Sequence, residues 1–171
     1  MSDSPYPEVG RPDFPAIEDR VLARWAADGT FRASIDARPT DTEYVFYDGP
    51  PFANGLPHHG HLLTGYVKDV VPRYQTMRGH RVDRRFGWDC HGLPIEFKVT
   101  QQMRKDGNTD ATPATIRKAC EEYALGFVDK QREQFKRLGV LGEWENPYLT
   151  LHPAYEAEEL RLFAGLVEKG F

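Results

Sequence analysis

His58 and His61 are the side chains in this sequence best spaced to do chemistry together. They close the stretch Asp48-Gly49-Pro50-Pro51-Phe52-Ala53-Asn54-Gly55-Leu56-Pro57-His58-His59-Gly60-His61. A spacing of i, i+3 places both rings on one side of a helix's first turn. An apolar, β-prone run (Tyr44-Val45-Phe46-Tyr47) precedes the stretch, and an amphipathic run over 62–77 follows it. That order reads as strand, Gly/Pro-rich turn and helix start. A helix N-terminus carries N–H groups without intrahelical partners and a partial positive charge, so it is a ready anion site. Gly60, lying between the histidines, lets a ligand approach the backbone closely. From the residues alone this is a phosphate-binding strand–loop–helix with two imidazoles added. Histidines at i, i+3 also bind metals, but the further ligands weighed, Cys90 and His91, lie about thirty residues along the chain, so no metal site is expected.

A second loop, Gly87-Trp88-Asp89-Cys90-His91-Gly92-Leu93-Pro94, follows a short strand over 82–86. Strand, helix and strand across this length make a βαβ unit with a parallel pair and a right-handed crossover. Ligands of such folds bind beyond the carboxyl ends of the strands, so the two loops should face one another. Asp89 would then be a carboxylate beside the histidines, able to pair with an ammonium group; a turn or capping aspartate is the alternative. Trp88 reads as a packing residue of the same pocket. Glu96 binds a ligand or is a surface helix residue, and it stays unassigned.

The remaining chain supplies support. A helix from Pro15, with an apolar stripe of Ile17, Val21, Leu22 and Trp25, ends at Gly29, and 33–43 reads as loop. The helix over 62–77 offers a broad face for burial (Leu62, Leu63, Tyr66, Val67, Val70, Val71, Tyr74), with a kink expected at Pro72. A helix is expected over 93–105. Thr112-Pro113 opens a long one with Ile116, Cys120, Tyr123, Phe127, Phe135 and Leu138 on one face. Residues 139–148 read as loop, with Trp144 packed under it, and a last helix runs over 154–169.

With 171 residues, 40% hydrophobic and 28% charged, the chain can form one domain with a sizeable core. A net charge of −4 argues against a surface that coats nucleic acid generally. The basic cluster from Lys68 to Arg85, six Lys/Arg against two Asp, meets polyphosphate or tRNA, or is simply solvated. Two cysteines without a pairing pattern fit a reducing compartment. No leader or long apolar run is seen at the amino terminus, so a cytoplasmic protein with no membrane partner is expected.

The stretch Gly-Pro-Pro-Phe-Ala-Asn-Gly-Leu-Pro-His-His-Gly-His resembles the "HIGH" signature of class I aminoacyl-tRNA synthetases, in the form used by isoleucyl-tRNA synthetases. Gly-Trp-Asp-Cys-His-Gly-Leu-Pro-Ile-Glu, residues 87–96, is similar to that family's second block. The leucine enzymes usually read Trp-Asp-Ala-Phe-Gly-Leu-Pro there, and the valine enzymes Thr-Asp-His-Ala-Gly. The signature's second position, usually Ile, Met or Tyr, is His59 here. The resemblance covers nearly the whole chain but only the opening fraction of a longer enzyme. It finds no Lys-Met-Ser-Lys-Ser loop, editing domain or anticodon-binding helices in these residues.

The resemblance implies an α/β fold: the first half of a class I synthetase Rossmann-like parallel-sheet nucleotide-binding domain, with an N-terminal helical extension. Residues 1–42 would be the extension and 43–171 the catalytic half. It implies ATP with Mg²⁺, isoleucine and tRNA(Ile) as partners of the full-length enzyme. His58 and His61 would be catalytic donors to ATP, Gly60 would lie near the adenine, and Asp89 would hold the α-ammonium. Pro50 would line the isoleucine side-chain pocket. The rivals are a valyl- or leucyl-type enzyme, a small nucleotidyltransferase with an H-x-G-H turn, and an inactive truncated product.

Overall fold

The computed structural model describes residues 10–171, so residues 1–9 of the expected extension lie outside the described residues. In chain order the elements are α1 (Phe14–Ala27), α2 (Thr30–Asp36), α3 (His59–Met77), β1 (Arg85–Trp88), α4 (Leu93–Lys105), α5 (Pro113–Arg137), β2 (Glu143–Leu149) and α6 (Pro153–Glu168). Local chemistry sets most of the helix ends. Asp13, Thr112 and His152 accept backbone N–H bonds at the starts of α1, α5 and α6, each with proline in the first turn. Arg78 and Gly79 close α3 as expected, with Gly79 at φ 96°.

The sheet differs from the expected one. The regular ladder is β1 with β2, parallel, pairing Arg85 with Glu143 and Trp88 with Leu149. Residues 139–148, expected as loop, thus contain a strand. Its Glu, Asn and Pro obscured the apolar alternation, and pairing with β1 overrides that weak local preference. Conversely, residues 43–48, expected as a strand, form no regular ladder: this segment and the loop after it touch the 81–89 segment through isolated parallel bridges only, Glu43 with Arg81 and Phe52 with Asp89. The βαβ reading survives in direction, since all these pairings are parallel, but not in the regularity of its first strand.

Three helix expectations also need correction. Residues 30–36 form α2 rather than continuing into loop: Gly29, in the left-handed region at φ 57°, starts a second helix at once. The apolar residues of α3 are not buried. Leu62, Leu63, Tyr66, Val67, Val70, Val71 and Tyr74 are each at least 40% exposed, because α3 turns Gly65, Lys68, Pro72 and Thr76 inward instead. Pro72 is fully buried within a helix that continues to Met77. Leu138 is exposed as the C-cap of α5, and the buried seam of that helix runs through Ala124, Val128 and Gln131.

The core lies between the sheet and the α4–α5 pair. Phe86, Trp88, Trp144, Ile95, Val99, Ala124 and Val128 are its buried members, with Cys120 packed against it at the edge. Phe86 stacks on Trp144 with ring centroids 4.4 Å apart. Burying a side chain such as Ile95 or Val128 contributes about 1.5–3 kcal/mol, so this cluster anchors β1, from whose end the second loop leaves. Among the described residues, no helix is long and apolar enough to cross a membrane.

Candidate active site

His58 is the N-cap of α3, and the two histidines build that helix's start reciprocally. His58 Nδ1 accepts the N–H of Gly60 at 3.1 Å, and His61 Nδ1 accepts the N–H of His58 at 3.1 Å. The ring centroids are 4.0 Å apart. A nitrogen that accepts carries no proton, so each neutral ring holds its hydrogen on Nε2. The caps therefore fix two Nε2–H donors side by side. The helix terminus is not the open anion cradle expected from sequence, since one of its N–H groups goes to His58 itself. Gly60 makes this possible: a Cβ there would lie 2.9 Å from His58 Cε1, pressing on the folded-back ring.

His58 is exposed and His61 half-buried. Burial lowers the pKa of His61, and the nearby His58 and the ammonium of Lys68 lower it further. Both effects favour the neutral ring that the cap requires.

The loop before α3 is held from three sides. Ala53 N–H bonds Asp89 O at 2.9 Å, and Asp89 N–H bonds Pro51 O at 2.9 Å, so the two loops do face each other. From α5, Gln131 donates to Phe52 O (3.0 Å) and Gly55 O (2.7 Å) while accepting from Trp88 Nε1 (2.9 Å). Tyr123 donates its hydroxyl to Asn54 O at 3.1 Å. The third side is Asp48, whose buried carboxylate meets Lys68 Nζ at 2.7 Å and accepts the N–H of Gly87 at 3.3 Å. Its Oδ1 gains charge compensation from Lys68 but no hydrogen bond of acceptable angle. Tyr148 donates its hydroxyl to Asp48 O, and burial together with that carboxylate pushes the phenol's pKa up.

Asp89 is half-buried, and its Oδ1 accepts the N–H of His91 at 3.3 Å, an Asx turn. This is the turn role weighed from the sequence; it occupies one carboxylate oxygen. Pro50 is half-buried in the same loop, on the chain between Asp48 and the Phe52–Asp89 bridge. Glu96 is exposed in the first turn of α4. Trp88 is a buried packing residue, as expected. Cys90 is buried with its thiol pushed up to about 11 by burial, and His91 Nε2 lies 3.2 Å from Glu156 Oε1 on α6. Neither joins the histidine pair, and no group of three or more metal-ligand side chains converges among the described residues.

Much of the basic cluster is used internally. Lys68 pairs with Asp48 and Arg73 with Asp69, while Arg81 and Arg85 donate to backbone carbonyls of Ile35 and Asn146. Arg84 is buried against Thr76 Oγ1 at 3.0 Å. Arg78 and Arg85 are exposed, so only part of the cluster is open to polyphosphate or tRNA.

Sequence reading missed Gln131, Tyr123, Asp48 and Lys68. Gln131 carried a signal, being a polar residue on the stripe 124–128–131–135, and a polar side chain in a buried seam needs partners. The roles of Asp48 and Lys68 depend on contacts across the fold and had no local signature. Between these elements lies a cavity of about 210 Å³, lined by His61, Lys68, Asp48, Pro51, Trp88 and Trp144 among others.

The model of the class I tRNA synthetases (I, L, M and V) matches residues 20–171. The isoleucine–tRNA ligase of Mycobacterium tuberculosis (strain CDC 1551 / Oshkosh) is 49% identical over 178 residues, covering 99% of this chain and 17% of that protein. Isoleucine–tRNA ligase 2 of Pseudomonas fluorescens is 47% identical, covering 92% and 16%. A crystal structure of the Agrobacterium radiobacter K84 agnB2 LeuRS–tRNA–LeuAMS ternary complex matches with a TM-score of 0.67 and 25% identity, covering 94% of this chain and 19% of that one. The chain spans about a sixth of the length of these curated relatives. With its signature loop, parallel α/β core and family match over residues 20–171, the chain belongs to the class I tRNA synthetases.

Proposed function

We propose that this chain supplies the ATP-facing half of an isoleucine-activating site, within a full-length isoleucine–tRNA ligase that charges tRNA(Ile) in the cytoplasm. The observation that carries the reading is the paired cap, which presents two neutral Nε2–H donors on one turn beside a loop bridged to Asp89. Adenylate formation joins the amino acid's carboxylate to the α-phosphorus of ATP and expels pyrophosphate. Negative charge grows on the phosphoryl oxygens and leaving group, and fixed donors act there without reorganising.

In this reading His58 and His61 donate to the phosphates, and Gly60 leaves room for the adenine. Asp89 uses its second oxygen to hold the α-ammonium, and Pro50 walls the apolar side-chain pocket. Mg²⁺ arrives with the substrate's phosphates. Residues 10–42, the described part of the extension expected over 1–42, precede the catalytic half that begins at 43. The isoleucine assignment rests on the ligase relatives and the Trp-Asp-Cys-His-Gly-Leu-Pro block; the LeuRS likeness keeps leucine as the second reading.

The test is ATP–pyrophosphate exchange by a graft of residues 1–171 onto the remainder of the Mycobacterium tuberculosis relative. Isoleucine should drive exchange well above leucine or valine. Preference for either rival overturns the isoleucine reading, and a graft that folds but exchanges with none overturns the activity.

A further inference from the structure

The segment that leads into the histidine loop is attached to its neighbours in an unusual way. Residues 43–53 run parallel to 81–89, yet the backbone bridges occur only at the ends, Glu43 with Arg81 and Phe52 with Asp89. The offset between partners slips by one residue from the first bridge to the second. In between, the Gly87 N–H is satisfied by the Asp48 carboxylate. The same carboxylate meets Lys68, which also donates to Gly49 O. Gly87 has no room for a side chain, since a Cβ would lie 2.3 Å from the Tyr148 ring, and that ring holds Asp48 O through its hydroxyl.

Lys68 lies seven residues after His61, two turns along the same face of α3, and both line one cavity with Asp48. We propose that Asp48 and Lys68 form a positioning pair that fixes the signature loop against α3: the Asp48 carboxylate anchors the Lys68 ammonium two turns along from His61 and moderates the charge which that ring meets. This rests on the activation reading above. Neither residue touches a substrate in it; both act through His61 and the loop. The charged or titratable groups facing His61 are His58 on its own turn, Lys68 farther along α3 and Asp48 from the extended segment. Only uncharged side chains face the cavity from β1, β2 and α5.

The pair makes a prediction that loosened packing does not. Removing the anion with Asp48→Asn leaves the Lys68 charge unopposed, so His61 should become harder to protonate. Removing the cation with Lys68→Met should make it easier, and the double variant should return towards the parent. If the pair served only to pack the loop, every variant would relax burial and shift His61 upward alike.

The measurement is the pH dependence of His61 carbethoxylation by diethylpyrocarbonate, located by peptide mass spectrometry on the graft. It does not depend on activity, so it separates this proposal from failure of the activation reading. Opposite shifts for the single variants, with reversal in the double, support the pair; shifts of one sign, or none, overturn it. Lys68→Arg guards against misfolding: it should keep the parental midpoint, and a shift as large as that of Lys68→Met counts against the proposal. Where exchange is active, Asp48→Asn should lower its maximal rate about a hundredfold, the scale of a 1 Å misplacement, with less change in KM. An unchanged rate counts against the pair.

Discussion

Asp89→Asn separates the two roles that this residue could have. The asparagine keeps an oxygen to accept the His91 N–H, now at 3.3 Å, so the Asx turn survives; what disappears is the charge. Truncating one partner of a buried, hydrogen-bonded charge pair costs about 2–5 kcal/mol. Asp89 is half-buried and already shares one oxygen with the turn, which puts the loss at the lower end, about 2–3 kcal/mol. That corresponds to a rise of roughly 30- to 150-fold in the isoleucine KM. The ATP KM should change little, because the bridge holding Asp89 to the signature loop is made by backbone atoms that the substitution leaves alone. The assay is pyrophosphate exchange by the graft, titrated with isoleucine at saturating ATP and then with ATP at saturating isoleucine. Overlapping isoleucine curves for parent and variant would refute the ammonium contact and leave Asp89 a turn residue.

Gln131→Leu should loosen the loop's hold on α5, leaving only the Tyr123 bond to Asn54 O and orphaning Trp88 Nε1 and two carbonyls at roughly 1–3 kcal/mol each where burial is complete. Limited proteolysis should then cut within 50–57 faster than in the parent; equal rates would refute the clamp. Cys90, buried with its thiol pushed up to about 11, should alkylate more slowly at pH 8 than the half-buried Cys120, a difference that denaturant erases. Acid should weaken the α3 cap. The folded pKa of His61 is lowered, so the unfolded state binds more protons in the window between the two pKa values. The cap's contribution is therefore present above the unfolded pKa and is lost as pH falls through the folded one. Amide exchange at the start of α3 as a function of pH tests that sign. Residues 1–171 alone should show little exchange activity and no sharp thermal transition, since the two-stranded ladder is small and the apolar face of α3 is open. A sharp transition with exchange above a His58/His61 double variant would overturn this.

How much was legible in the sequence follows the range of the interactions. Helix boundaries were readable because caps are local: Thr112-Pro113 and Arg78-Gly79 act within a turn of themselves. The histidine pair was readable because i, i+3 geometry is fixed once a helix starts at that loop. The regular strand over 43–48 failed because its apolar residues promised a full ladder, whereas the Asp48 carboxylate takes the N–H of Gly87. The strand at 143–149 failed for the converse reason: Glu145, Asn146 and Pro147 carry little β-preference, and long-range contact with β1 decides. Apolar periodicity on α3 identified a face correctly but not whether these residues cover it. Asp48, Lys68 and Gln131 act across 19 to 79 positions of chain, a separation that no local pattern encodes.

The central claim is that His61 works through a proton held on Nε2 while Nδ1 serves the cap. His61→Gln places an amide donor near the Nε2 position but loses the Nδ1 acceptor, and His61→Asn does the reverse. The decisive measurement is the maximal rate of isoleucine-dependent pyrophosphate exchange for these two variants of the graft, with ATP saturating. A lost transition-state donor costs about 2.7–4 kcal/mol, whereas a lost cap costs about 1 kcal/mol. His61→Asn should therefore fall by roughly 100- to 1,000-fold while His61→Gln retains most of the rate. Equal rates in the two variants, or greater activity in His61→Asn, would contradict the account.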